Sequence, residues 1–364
     1  MNRSFRRRKY LFLGIIAVLL TALIAGCGGS QSSLSNENKE KGESNGLDTS
    51  VTLRVLEAGG KSGEALKAAF LDPFTEKTGI KVETESPTSF GKLEAAVKSG
   101  QQLYDLVELS STMVYQAESL GLLEPLDWNL INPEPINEEA KHPYGLGYQY
   151  YSTIMAWRSD ATNLNSWADF WDVKKYPGKR ALPNYPQYAL PIALLADGVP
   201  LEELYPLDVD RAFNSLRKIA KDVSVWWESA AQPVQLLMDG EVDYAAVWSG
   251  RVAGNADGIK YTYNQGLLDL GFFVIPKGAK HVREAHALLH EMTVGENQAK
   301  MSEVIPYTGP HKEISSFLPK ERLAIYPTSE ENYKKQVLND PKWWFENGKE
   351  VDRKWREFKM SLGK

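Results

Sequence analysis

From Val51 onward the chain alternates short apolar runs with amphipathic ones, and no other property narrows its fold so far. Val51 to Glu57 reads as a strand, Gly63 to Lys77 as a helix bent at Pro73, Ile80 to Glu85 as a strand and Ser89 to Lys98 as a helix. Leu106 to Leu109 and Thr112 to Leu120 repeat the pair. Strands linked by helices in this way lie parallel, and a parallel sheet has to be covered on both faces. A turn-rich stretch with Pro125, Pro133, Pro135 and Pro143 leads to a strand at Tyr150 to Trp157. A second alternating set runs from Trp167 to Val274, with helices near Leu190 to Ala196 and Asp208 to Ile219. A helix near His281 to Met292 and a largely helical tail from Lys320 to Lys364 complete the pattern. Two α/β lobes of roughly 100 to 150 residues each fit this repetition, with the chain crossing between them near residues 155 to 160 and 270 to 278.

Residues 223 to 251 show where such a sheet presents a site. A strand ends in Trp226, Trp227 and Glu228, an amphipathic run spans Pro233 to Met238, Asp239 and Gly240 turn the chain, and a second strand runs from Val242 to Trp248. Ligands of open parallel sheets settle beyond the carboxyl ends of the strands. An ammonium gains roughly 0.5 to 2 kcal/mol over a well-placed aromatic face, and more beside a carboxylate in a dry pocket. Trp227, Trp248 and Glu228 are therefore candidate ligand residues for a cation. The competing reading makes Trp226, Trp227 and Trp248 core residues.

The amino-terminus sets the compartment. Arg3, Arg6, Arg7, Arg8 and Lys9 precede an apolar stretch from Tyr10 to Ala25 that ends in Ile24-Ala25-Gly26-Cys27, the pattern of an export signal. The small residues before the lone cysteine resemble the lipobox of bacterial lipoproteins, which implies cleavage after residue 26 and lipidation of Cys27. The alternative, an uncleaved membrane helix, meets an apolar run that is short for a span of roughly 20 residues. Residues 27–50 hold Gly, Ser, Asn, Glu and Lys with only Leu34 and Leu47 as apolar side chains, so they read as a flexible tether. Loss of residues 1–26 moves the formal net charge from −5 to −10. A chain so acidic is repelled by phosphate backbones, which excludes nucleic acid as a partner.

Several short motifs in order carry a family resemblance: Phe74-Thr75-Glu76-Lys77-Thr78-Gly79-Ile80-Lys81-Val82, Tyr104-Asp105-Leu106-Val107, Ser166-Trp167-Ala168-Asp169-Phe170-Trp171, Met238-Asp239-Gly240-Glu241-Val242, Val247-Trp248-Ser249-Gly250, and Ile275-Pro276 before a helix. Behind a lipobox, the set resembles the extracellular solute-binding proteins of ABC importers, above all the spermidine/putrescine-binding type. The resemblance implies an α/β fold of two lobes in the type II periplasmic-binding-protein arrangement, with a parallel-type sheet in each and a ligand cleft between. Its lobes would comprise 51–155 plus about 275–320, and 156–274 plus about 321–364. It also implies hinge closure on a solute, delivery to permease subunits, a monomer anchored outside the cell membrane, and neither cofactor nor metal. By position, Trp248 falls where that family stacks an indole on the amine, Ser111 and Thr112 in a first-lobe ligand loop, and Tyr150 and Tyr151 near the pocket wall.

The chain departs from that pattern in its acids. Tyr185 and Tyr188 stand where polyamine binders place two carboxylates, and Asp269 and Gly271 where they place Trp and then Asp. Glu228 and Asp269 remain for a cation, and Arg251, directly after Trp248-Ser249-Gly250, can grip a carboxylate or phosphonate. The expected solute is a small amine or zwitterion, polyamine-like or betaine-like. The alternative for Arg251 is an outward salt bridge to Asp243 or Glu241.

Other signals are weaker. Gly59-Gly60-Lys61-Ser62-Gly63 lacks the glycine of a phosphate-binding loop, since Val55 stands at its position, and reads as a strand-to-helix turn whose N–H groups can hold an anionic group. His286 and His290 share the spacing of zinc ligands without a completing acid, so packing is the expected role. Tyr150, Tyr151, Tyr185 and Tyr188 invite comparison with ferric-ion binders of the same superfamily, and thiamine-type binding is a further alternative. Trp343 and Trp344 close the cleft or pin the tail. A lipid-anchored enzyme acting on amines or amino acids is the rival class; no Gly-x-Ser-x-Gly elbow, available cysteine nucleophile or metal cluster supports it.

Overall fold

The computed structural model describes residues 46–101, 103–254 and 257–363. The leader, Cys27 and most of the tether lie outside the described residues. The last tether residues, from Gly46, lie on the protein: the Asp48 amide donates to Glu284 Oε1 (3.0 Å) and Leu47 packs on the first core.

Ten strands form one continuous ladder. They are β1 (Thr52–Leu56), β2 (Lys81–Glu85), β3 (Leu106–Ser110), β4 (Lys141–His142), β5 (Gly145–Arg158), β6 (Arg180–Pro183), β7 (Val223–Trp227), β8 (Tyr244–Trp248), β9 (Ile259–Val274) and β10 (Gln336–Leu338). Their order is β2-β1-β3-β9-β5-β8-β6-β7, with β10 on β9 and β4 on β5. β1 pairs in parallel with β2 and β3, and β6 with β7 and β8. The long antiparallel pair β5 and β9 joins the two groups. The expected strand at 150–157 is therefore the second half of a strand that starts at Gly145.

The apolar core divides along that pair. One cluster takes Leu53, Phe70, Phe74, Leu106, Tyr148, Tyr150, Leu268 and Phe273; two others, on opposite sheet faces, take Met155, Trp226, Tyr244 and Leu267, and Ile154, Trp227, Ala245 and Val247. The alternation follows from the strand period of two. β5 passes from the first core to the others between Tyr150 and Ile154, and β9 passes between Leu267 and Leu268. At that point β9 bulges: Thr153 pairs with Leu267 but Met155 with Thr262, and Gln265 takes φ +56°. The carbonyl and side chain of Gln265 accept from the two N–H groups of Trp167 (both 2.8 Å), which ties the bulge to the second lobe.

Two helical expectations are corrected. The helix expected at 63–77 is α-helical over Gly60–Leu66 and Asp72–Thr78 but π-helical over Lys67–Leu71. Pro73 has no N–H for the turn before it, and the Asp72 amide reaches back five residues to the Lys67 carbonyl. In the tail only Pro341–Ser361 is a long helix; 314–338 consists of short helical turns and β10. That helix buries Trp344, Val351, Trp355 and Phe358 in the second lobe's core. Trp343 and Trp344 pin it there, the Trp344 indole donating to Tyr205 Oη (2.8 Å) and Trp343 lying edge-on to Tyr205.

Candidate ligand site

The carboxyl ends of β6, β7 and β8 converge on a set of aromatic side chains with Trp248 at its hub. Trp248 meets Tyr151 (6.3 Å between centroids, 68°), Tyr188 (6.1 Å, 73°) and Trp227 (5.7 Å, 88°). Tyr185 closes the ring against Tyr188 and Trp227, and Tyr307 extends it from Tyr151 (5.8 Å). Edge-to-face contacts of this kind hold the rings at fixed angles to one another. Trp227 is held by its N–H on the Ala246 carbonyl (2.9 Å).

Asp269 lies opposite Tyr151 in the β5–β9 register and is buried. Burial pushes its carboxyl from 3.8 up to about 7, against a hydrogen bond from Asn339 Nδ2 (3.3 Å) that lowers it. The Tyr188 phenol is raised by burial first and then by the charge of Asp269, which places the two side by side. Arg251 is exposed beside Tyr307, whose phenol burial raises to about 12 while the guanidinium lowers it. Among the described residues Arg251 makes no ion pair, and Asp243, its expected alternative partner, instead accepts from the Lys179 amide (2.7 Å). Gly250 has a steric reason: a Cβ there would enter the Tyr307 ring.

The first-lobe wall carries a second buried acid that the sequence reading passed over. Glu108 accepts from Tyr148 Oη and the Ala58 amide (both 2.7 Å), and burial raises it to about 7. A lone acid within Leu-Val-Glu-Leu was the available signal. Glu57 takes the Gly59 amide. The Ala58 and Gly59 amides thus go to internal carboxylates, at the turn whose N–H groups were expected to be free for an anionic group.

The candidates separate accordingly. Trp227, Trp248, Tyr185, Tyr188 and Asp269 come together with Tyr151. Tyr150 does not: it points to the opposite side of β5, its hydroxyl donating to Glu139 Oε1 (2.7 Å). That removes it from the pocket and from any four-tyrosine iron site. Trp226 likewise faces away, packed on Trp355 and Phe358. Glu228 sits exposed on the rim, bound by Asn184 Nδ2 (2.7 Å), with its carbonyl accepting from Tyr185 Oη. Ser111 lines a cavity of about 200 Å³ with Val114, Tyr115, His142, Leu338 and Asn339, and the adjacent Thr112 is half-buried. His286 and His290 hold the loop 127–132, His286 Nε2 accepting from the Asp127 amide and His290 Nδ1 meeting the Ile131 carbonyl (both 2.9 Å).

The family profile for bacterial extracellular solute-binding proteins matches residues 69–322. This chain belongs to that family. The bacterial solute-binding protein described here is 32% identical over 319 residues to the gamma-aminobutyric acid-binding protein of Pseudomonas aeruginosa, covering 84% of this chain and 90% of the relative. It is 26% identical to the spermidine/putrescine-binding periplasmic protein 1 of Haemophilus influenzae, over 77% and 81% of the two chains. Among solved structures, an ABC transporter substrate-binding protein from Bradyrhizobium japonicum superposes with a TM-score of 0.81 at 36% identity, over 85% of this chain and 99% of that one. The solute-binding protein thus has the expected two-lobe α/β fold, and its family is extracytoplasmic.

Proposed function

We propose that the protein is the solute-receiving component of an ABC importer and that its solute is a small zwitterion of the γ-aminobutyrate type. The carrying observation is the pairing of Asp269, buried under the aromatic ring set, with Arg251 beside Tyr307 at its edge. An amine on Asp269 exchanges hydration for a carboxylate and ring faces, while Arg251 receives the solute's acid. The name of the Pseudomonas relative supports this ligand class. Two lobes, divided where β5 changes core between Tyr150 and Ile154 and β9 between Leu267 and Leu268, close over the solute, and the monomer hands it chemically unchanged to the permease.

A polyamine is the second reading, because Glu108 near Tyr307 suits a second amine and another relative bears a polyamine name. Calorimetry separates the two. Arg251→Ala is expected to weaken γ-aminobutyrate binding by well over tenfold, about 2 kcal/mol or more for a lost charged pair, and to leave putrescine unaffected. An unchanged γ-aminobutyrate constant would remove Arg251 from the site; putrescine binding without γ-aminobutyrate binding would select the second reading.

We further propose a lipid anchor at Cys27, on the strength of the Ile24-Ala25-Gly26-Cys27 sequence. In a bacterial host, Cys27→Ser is expected to abolish labelling by radioactive palmitate and release the protein into the soluble fraction. Equal labelling of the variant would refute the anchor.

A further inference from the structure

The C-terminal segment reaches Asp269. β10 runs parallel to β9, with Leu338 opposite Leu268, so Asn339 emerges beside Asp269. Its amide donates to the Leu268 carbonyl (2.8 Å). The side chain is buried, and each end of its carboxamide is used twice. Nδ2 donates to the Gln187 carbonyl and to Asp269 Oδ2 (both 3.3 Å); Oδ1 accepts from Trp344 Nε1 (3.2 Å) and from the Tyr205 hydroxyl. A carboxamide offers two donors and two acceptor positions, so this one is filled. Turning it over would set its oxygen against the Asp269 carboxylate and the Gln187 carbonyl, and its NH₂ against two donors. The network therefore dictates that a donor faces Asp269.

We propose that Asn339 is a positioning residue that holds the Asp269 carboxylate, in place and in its charged form, for the solute's cationic group. This rests on the reading that Asp269 receives the amine. The other titratable groups facing Asp269 are the phenols of Tyr151 on β5, Tyr188 on the Pro186–Ala196 helix and Tyr205 in the loop after it, all of which burial keeps protonated. They leave Asn339 as the side-chain donor that acts on Asp269. The same residue ties the pocket to the C-terminal helix, where Trp344 enters the second lobe and Phe345 stacks on Tyr115 of the Ser111–Ser119 helix in the first (6.2 Å, 25°).

The test titrates the Asp269 carboxyl in the ligand-free protein by its infrared band, assigned by its loss in Asp269→Asn, and measures γ-aminobutyrate affinity across the same pH range. Asn339→Ala removes a donor to the carboxylate and is expected to raise the midpoint by about half to one unit and weaken binding at pH 7 about threefold to tenfold. Asn339→Asp, which keeps the size and sets a second carboxyl there, should raise it further. Trp344→Phe, which keeps the amide, should lower the melting temperature and leave the midpoint in place. Midpoints unmoved in both Asn339 variants would overturn the proposal. Undiminished γ-aminobutyrate binding by Asp269→Asn would instead overturn the ligand reading on which it rests.

Discussion

Asp269→Asn is expected to lose amine binding and, without ligand, to melt at a higher temperature than the parent protein at pH 8. Loss of one partner of a buried charged pair removes roughly 2 to 5 kcal/mol, about thirtyfold or more in affinity by calorimetry. The gain in stability comes from the same burial. The folded carboxyl titrates near 7 and the unfolded one near 3.8. Its contribution to stability is fully present below about pH 4 and is lost as pH rises through about 7, because the folded state must then hold a desolvated charge. Three pK units set an upper limit of about 4 kcal/mol, which Asn recovers in part at pH 8. The two proteins should converge at pH 4, while Glu108, also raised to about 7, keeps some pH dependence in the variant. Calorimetric melting at both pH values measures this; coincident melting at pH 8 would mean that Asp269 is not held charged and desolvated.

Trp248→Ala should have the other large effect, because it removes the ring that three others lean on. Aromatic contact and cation attraction together are worth about 2 to 4 kcal/mol at such a position, or roughly thirtyfold to a thousandfold in affinity. Trp248→Phe separates the ring from its N–H. That Nε1 is buried and has no hydrogen-bond partner among the described residues, so its removal relieves about 1 kcal/mol or more of desolvation. Phe should keep affinity within about tenfold and hold or raise the melting temperature. A Phe variant as weak as Ala would show that the indole N–H, not the ring face, carries recognition.

Much of the architecture was legible because it is local. The strand and helix pattern over 51–120 appears nearly as read, since apolar period and capping decide it: Ser89 accepts from the Lys92 amide at the start of its helix. The π-helical turn before Pro73 was signalled only as a bend. Of the site, Trp227, Trp248, Tyr185, Tyr188 and Asp269 were legible as aromatic or acidic residues at strand ends. Asn339 was not, because it is 70 residues from Asp269 and lies in a tail read as helix. Glu108 left a visible mark, a charge inside an apolar strand, whose meaning depends on Tyr148 and Ala58 closing around it.

By itself the amino-acid order determined an exported α/β chain of two repeating halves, with aromatic residues and few acids at the ends of its strands. It also determined that Trp226 and Trp227, or Tyr150 and Tyr151, face opposite ways, because successive strand residues always do. Only the tertiary structure decided which member of each pair looks into the cleft. For Tyr150 and Tyr151 that choice belongs to the pairing of β5 with β9 across more than a hundred residues, and for Trp226 and Trp227 to the pairing of β7 with β6; in either ladder a one-residue slip exchanges every inward side chain for its outward neighbour.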